Sequence, residues 1–267
     1  MFKDYSDLFD QRGDLYHQAM RDCPRARKVE FDTATSWLDL CQGMTICDIP
    51  SGGCYLADFI LQDNITLYSV ETSHVFFNEG RNYYYKDDNN DKKINCVNVM
   101  CDSIAVVPLV AGIADRILSL SGLHHQTNPL SFYKEAARLL TDDGFLVLAD
   151  VRAGSDVDRF LNQFVDQHSS AGHEGIFLNK QTLLDIESCG FKIIDSKVEK
   201  YNWNFSCTAQ MVSFCKKLFG LDKADEETIL AGIKNCMGYS ERKNGCSMHW
   251  ELIFIKAAKS VKAPLLG

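Results

Sequence analysis

Two carboxylates, Asp48 and Glu71, stand where a sequence could do chemistry. Asp48 lies in a short apolar run at 45–49 that reads as a buried strand. Pro50, Ser51, Gly52 and Gly53 then force a tight turn, and a helical apolar pattern resumes over 54–61. Strand, small-residue turn and helix together let a backbone approach a nucleoside closely. Glu71 closes a second strand-like run, 23 residues beyond Asp48. A carboxylate at that spacing can accept both ribose hydroxyls of an adenosine. Neither the dinucleotide fingerprint G-x-G-x-x-G nor the P-loop G-x-x-x-x-G-K-[ST] occurs in the chain, so a pyrophosphate or triphosphate finds no cradle.

The stretch Asp48-Ile49-Pro50-Ser51-Gly52-Gly53-Cys54 resembles the first motif, D-x-G-x-G-x-G, of the class I S-adenosylmethionine-dependent methyltransferases. Gly52 is the middle glycine, and Pro50 and Cys54 replace the outer two. The resemblance implies S-adenosyl-L-methionine as cofactor and S-adenosyl-L-homocysteine as product. It implies that Asp48 organises the turn, that Gly52 and Gly53 admit the adenosine, and that Glu71 takes the ribose hydroxyls with Thr72 beside it. Asp102-Ser103 follows the third strand, where the family often sets an acidic residue against the adenine amine; Asp102 also reads as the N-cap of a helix over 103–109. Leu120, Ser121 and Gly122, at the carboxyl end of the fourth strand, are expected to face the methionyl part. Arg12 has the planar fork that matches a carboxylate, if the N-terminal helices fold over the site; a solvated surface arginine is the other reading.

His124 and His125, the only histidine pair, lie just past that fourth strand. In the related enzymes this location faces the methyl group, and an imidazole titrates near neutrality, which suits a general base. They are the candidate catalytic residues, His124 by its proximity to the strand end. Tyr16, Trp203 and Phe205 are assigned to the acceptor pocket. No metal is assigned. Methyl transfer from a sulfonium needs alignment and exclusion of water more than acid–base help.

The elements that must position these residues alternate. Strands are expected near 45–49, 65–71, 94–98, 115–121 and 145–150, with helices at about 54–62, 74–82 and 129–140, the last opened by Asn128 as N-cap and Pro129 at N1. Helices at 156–168 and 180–189 precede a strand at 191–198, and a last strand covers 248–257. The pattern predicts an α/β three-layer sandwich around a mostly parallel seven-stranded sheet. By resemblance the last strand returns antiparallel between the fifth and sixth. The expected organisation is an N-terminal helical cap over 1–43, ending at Gly43, a core over 44–200 with 249–260, and a helical insertion over 201–248 that completes the cap. The polar run 86–93 reads as a surface loop.

Composition narrows the class. A net charge of −8 without a basic tract argues against nucleic acid phosphates as a partner. No apolar run approaches the ~20 residues of a membrane span, and the N-terminus lacks a signal-peptide core. Eleven cysteines, with no C-x-x-C pair, suit reduced thiols in a cytoplasmic protein. The expected activity is methylation of oxygen or nitrogen on a small-molecule acceptor, with the oligomeric state open. Rival readings are a protein methyltransferase, a silent cofactor- or partner-binding subunit on the same fold, and an aminopropyltransferase or NAD-dependent oxidoreductase.

Overall fold

The computed structural model describes residues 5–85 and 94–260; the predicted loop at 86–93 lies outside them. Five parallel strands come first: β1 (Thr45–Asp48), β2 (Ile65–Glu71), β3 (Ile94–Met100), β4 (Ala114–Leu120) and β5 (Leu140–Asp150). β6 (Phe191–Phe205) is the far edge, and β8 (Gly245–Lys259) runs antiparallel between β5 and β6. A short β7 (Tyr239–Arg242) forms a hairpin with β8, giving an eight-stranded sheet in the order 3-2-1-4-5-8-6 plus that extra strand. The three-layer architecture and the antiparallel return are as predicted; the hairpin adds one strand.

Period-two burial sorts side chains to the two faces of the sheet. Along β5, Val147 and Ala149 join the core cluster that holds Trp37, Trp203 and Phe214, whereas Leu146 and Leu148 join the one that holds Phe132 and Ile186. α1 (Tyr5–Asp22), α2 (Lys28–Trp37), α8 (Thr208–Phe219) and α9 (Glu226–Cys236) supply helices, with members of all four in the first cluster. α4 (Pro129–Leu139) and α7 (Lys180–Ser188) cover the second. Asn179 caps α7 in a reciprocal capping box with Thr182. α3 (His74–Tyr85) follows β2, and Phe76 on it packs with Tyr5, Leu8 and Phe9 of α1.

Several local expectations are corrected. α2 ends at Trp37; Gly43 is instead a turn residue, with φ +84°, before β1. The predicted helix at 54–62 is a single 3₁₀ turn, Tyr55–Phe59, because Cys54 enters it in the left-handed conformation. Asn128 makes no side-chain cap, leaving Pro129 to set the start of α4. No helix follows Asp102, so its capping role falls away. β6 runs seven residues past its predicted end at 198, because Tyr201, Trp203 and Phe205 stay paired with β8. The helical insertion therefore begins after Phe205, and α1 packs along α8, tied by the Lys217–Asp22 ion pair.

Candidate active site

β1, β2 and β4 end side by side, with Asp48 opposite Ser69 and Leu118. Beyond Asp48 the chain is pinned by Ile49 N–H to the Leu118 carbonyl at 2.9 Å and Ser51 N–H to Val70 at 3.0 Å. Gly52, Gly53 and Cys54 then take three successive positive φ values, +61°, +113° and +64°. Cys54 thus keeps the left-handed backbone of the glycine it replaces, at a cost of about 1–2 kcal/mol. Among the described residues, a Cβ on Gly52 would meet only the Tyr5 hydroxyl, at 4.0 Å. A Cβ on Gly122 would come within 2.6 Å of the Pro50 ring, which explains a glycine there.

Glu71 is buried and saturated by the protein itself. Its carboxylate accepts N–H bonds from Gly52 (2.9 Å), Thr72 (2.7 Å) and Ser73 (3.0 Å), and the Tyr5 hydroxyl donates to it at 3.1 Å. Burial pushes its pKa up to about 7 against the lowering by these bonds. Asp48 is pushed well up as well, first by burial, then by Cys54 and Glu71.

α1 roofs the cavity in front of this loop. Arg12, far from being a solvated surface group, is buried; its Nη2 donates to the Leu218 carbonyl of α8 at 2.7 Å. Its Nε has no hydrogen-bond partner among the described residues, and burial lowers the guanidinium pKa to about 10. Tyr16, one turn on, accepts from Arg27, which is itself paired with buried Glu30.

The far end of the cavity is histidine-rich. His124 and His125 form a 3₁₀ turn after β4. Asp150, fully buried at the end of β5, accepts from His124 Nδ1 at 2.7 Å and His124 N–H at 3.2 Å, as well as from Val151 N–H at 2.7 Å. A third histidine, His173, comes from the segment between α6 (Asp166–His168) and α7. Its Nδ1 lies 2.9 Å from Asn162 Oδ1. Asn162 sits in a π-helical turn, Phe160–Val165, between α5 (Asp156–Arg159) and α6, and exchanges both amide hydrogen bonds with Gly175. Burial holds His125 and His173 well below the usual histidine pKa, and neighbouring His124 adds to both shifts.

The structure thus gathers most of the residues predicted for the site. Asp48, Pro50, Ser51 and Gly52 line one wall of the cavity, Leu120, Ser121 and Gly122 the next, and the His124–His125 pair its far end. Arg12 and Tyr16 line it from α1, and Trp203 from β6. Gly53, Glu71 and Thr72 are not among the lining residues; Gly53 is backed by Gly80 of α3. Asp102 and Ser103 are exposed and lie outside it. Phe205 is likewise outside, packed on Phe214 with ring centroids 5.2 Å apart, because the chain has not yet left the sheet there. Tyr5, Asp150, Asn162 and His173 were missed. Only Asp150 carried a signal, as an acidic residue closing the apolar strand FLVLAD.

The comparisons with known proteins bear on this arrangement. Residues 47–148, from β1 through most of β5, match a family model described as "Methyltransferase domain". Those residues carry a methyltransferase domain. No curated sequence matches it significantly. The class I fold recurs in a protein of Bacillus halodurans C-125 assigned as a methyltransferase, with a TM-score of 0.62 and 16% identity over 87% of this chain and 100% of that one. A SAM-dependent methyltransferase of Thermotoga maritima gives 0.58 and 16%, over 96% and 100%. Geranyl diphosphate C-methyltransferase of Streptomyces coelicolor A3(2), solved with Mg²⁺, geranyl diphosphate and S-adenosyl-L-homocysteine, gives 0.56 and 11%, over 91% and 83%. S-adenosylmethionine is the cofactor of this methyltransferase domain. The buried Ser121 Oγ and Arg12 Nε in the cavity wall have no hydrogen-bond partner among the described residues.

Proposed function

We propose that this methyltransferase acts on oxygen or nitrogen of a small-molecule acceptor, with His124 receiving the acceptor's proton. The observation that carries this reading is the His124–Asp150 pair at the far end of the cavity. The Asp150 carboxylate holds the Nδ1 proton, so Nε2 presents a lone pair. Aromatic walls from Trp203, Phe219 and Trp250, under the α1 roof, favour a compact acceptor over a polymer. α1 with the 1–43 segment, and α8 and α9 of the insertion, form the cap in this reading, and the intervening sheet is the core.

The cofactor supplies a methyl group already activated on a sulfonium. The chain's own part is to align and to keep water out. Asp48, Pro50, Ser51, Gly52 and Gly53 hold the adenosyl side, with Glu71 and Thr72 as the ribose acceptor and its neighbour. Asp102 and Ser103 flank the adenine from the surface. Leu120, Ser121 and Gly122 border the methionyl part, and Arg12 takes its carboxylate. His125, Tyr16 and Trp203 contact the acceptor, and Phe205 supports that wall through Phe214. We place the protein in the reducing cytoplasm, which its eleven cysteines without a C-x-x-C pair support. No described helix is long and apolar enough to cross a membrane.

The test is calorimetry with S-adenosylmethionine and S-adenosylhomocysteine, followed by isotopic methyl transfer to a panel of phenols, alcohols and amines. One site per chain is expected, with Glu71→Ala weakening it by ~1–3 kcal/mol as the ribose loses a charged acceptor. Cofactor binding with transfer only to protein substrates would replace the small-molecule reading.

A further inference from the structure

We propose that His124, His125 and His173 bind a divalent first-row transition metal ion, with an open coordination position facing the acceptor. The three imidazoles are all buried, and one ligand nitrogen from each lies within 4.8 Å of the others. They arrive from two chain segments, and backbone contact joins the segments: Ile176 N–H donates to the His124 carbonyl at 2.8 Å. Ring centroids are 4.1 Å apart for His124 and His125, 5.5 Å for His124 and His173, and 5.3 Å for His125 and His173.

Histidine–histidine proximity alone does not make a metal site; the outer partners do. Asp150 accepts from Nδ1 of His124, which leaves Nε2 as the lone-pair nitrogen. Asn162 does the same for His173. Its Oδ1 accepts from Gly175 N–H at 2.7 Å while its Nδ2 donates to the Gly175 carbonyl at 2.9 Å, so the oxygen is the atom that meets His173 Nδ1. A carboxylate or carbonyl oxygen behind Nδ1, with Nε2 forward, is how metal-ligating histidines are oriented and made more basic. That Asn162 occupies a π-helical turn fits a functional placement, since such turns recur at functional sites.

The donor set selects the ion. Three imidazoles, with a carboxylate behind His124 and an amide oxygen behind His173, suit Zn²⁺, Fe²⁺, Co²⁺ or Ni²⁺ and not the oxygen-seeking Mg²⁺ or Ca²⁺. A zinc–nitrogen bond of ~2.0–2.1 Å sets tetrahedral nitrogens ~3.4 Å apart, so from separations of up to 4.8 Å the nitrogens need draw together by at most ~1.4 Å. All three histidines line the cavity, which is the arrangement of a catalytic centre with three protein ligands and one open place. The inference rests on the methyl-transfer reading for its consequence: the acceptor carries a hydroxyl that ligates the ion. On binding, the metal–oxygen bond forms, the O–H bond breaks, and the proton leaves to solvent. The ion then takes over the task that His124 performs as a base in its absence.

The test uses the full chain, freed of any polyhistidine tag and stripped with a chelator, then titrated with Co²⁺ and with Zn²⁺. Expected are about one Co²⁺ per chain with visible ligand-field absorption, displacement by Zn²⁺, and loss of ~100-fold in affinity in His173→Ala and His125→Ala. Asn162→Ala should lose ~10–100-fold as an outer partner, and S-adenosylhomocysteine affinity should stay within ~2-fold in all three. Wild-type protein that binds no Co²⁺ stoichiometrically, or a folded His173→Ala that binds it as well as wild type, overturns the site. Cofactor binding without metal binding would sink this inference alone. Metal binding without cofactor binding would sink the methyl-transfer reading and leave the site standing.

Discussion

At the Asp48–Glu71 end of the cavity the protein satisfies its own polar groups, whereas at the histidine end it points them inward. Glu71 spends its carboxylate on three backbone N–H groups and on Tyr5. His124 and His173 spend their Nδ1 atoms on Asp150 and Asn162, and so keep Nε2 for whatever enters. The first end is therefore a closed latch: a ribose must exchange with the Tyr5 hydroxyl before Glu71 can accept it. The second is preorganised, because Asp150 and Asn162 already fix His124 and His173. Fixed donors and acceptors that need no rearrangement are what a reacting end requires, while an end that only binds tolerates an exchange of equivalent hydrogen bonds.

The largest expected effect tests how far the acceptor end is also core. Trp203 is 2% exposed, stacks on Trp250 at 4.2 Å, and donates from Nε1 to Glu30 at 2.7 Å. Trp203→Ala should cost ~3–5 kcal/mol in urea unfolding, since it opens a cavity beside the buried Arg27–Glu30 pair. Wild-type stability in that variant would make Trp203 a pocket wall only.

Next comes the latch. Burial raises the Glu71 pKa in the folded state from its ordinary 4.5 to about 7. The folded state thus holds a proton that the unfolded state has lost, so this contribution is full below pH ~4.5 and declines as pH rises through 7. Relative to Glu71→Gln, the wild type should lose ~3 kcal/mol across that window. Denaturation midpoints of the two proteins that stay parallel from pH 4.5 to 8 would refute it.

At the preorganised end, His124→Gln should lower turnover ~10²-fold or more, with cofactor affinity unchanged. Equal turnover in the variant would take proton handling away from this histidine. The smallest effect returns to the latch: Tyr5→Phe removes the hydroxyl that competes with the ribose. Cofactor binding should tighten by about 1 kcal/mol, and weaker binding by calorimetry would mean that Tyr5 assists the ligand.

Much of the cofactor end was legible from residue order. Asp48, Gly52 and Glu71 fall within one strand–turn–strand unit, and the turn demands small residues because its backbone goes left-handed. The sheet order followed from the alternation of elements together with the family resemblance. The extent of β6 did not, since pairing with β8 decides where the strand stops and so puts Trp203 and Phe205 in the sheet.

What the chain determines by itself is therefore local: the strand-to-turn chemistry around Gly52, the His124–His125 pair past β4, and the two-faced strands. Tertiary structure alone decided that His173, 48 residues beyond His125, returns to the same cavity, and that Tyr5 closes on Glu71. Turn chemistry is written within a few residues because it is set by backbone sterics. The convergence of distant side chains depends on how α1, the Phe160–Val165 turn and the ends of β4 and β5 pack, and no spacing in the sequence records that.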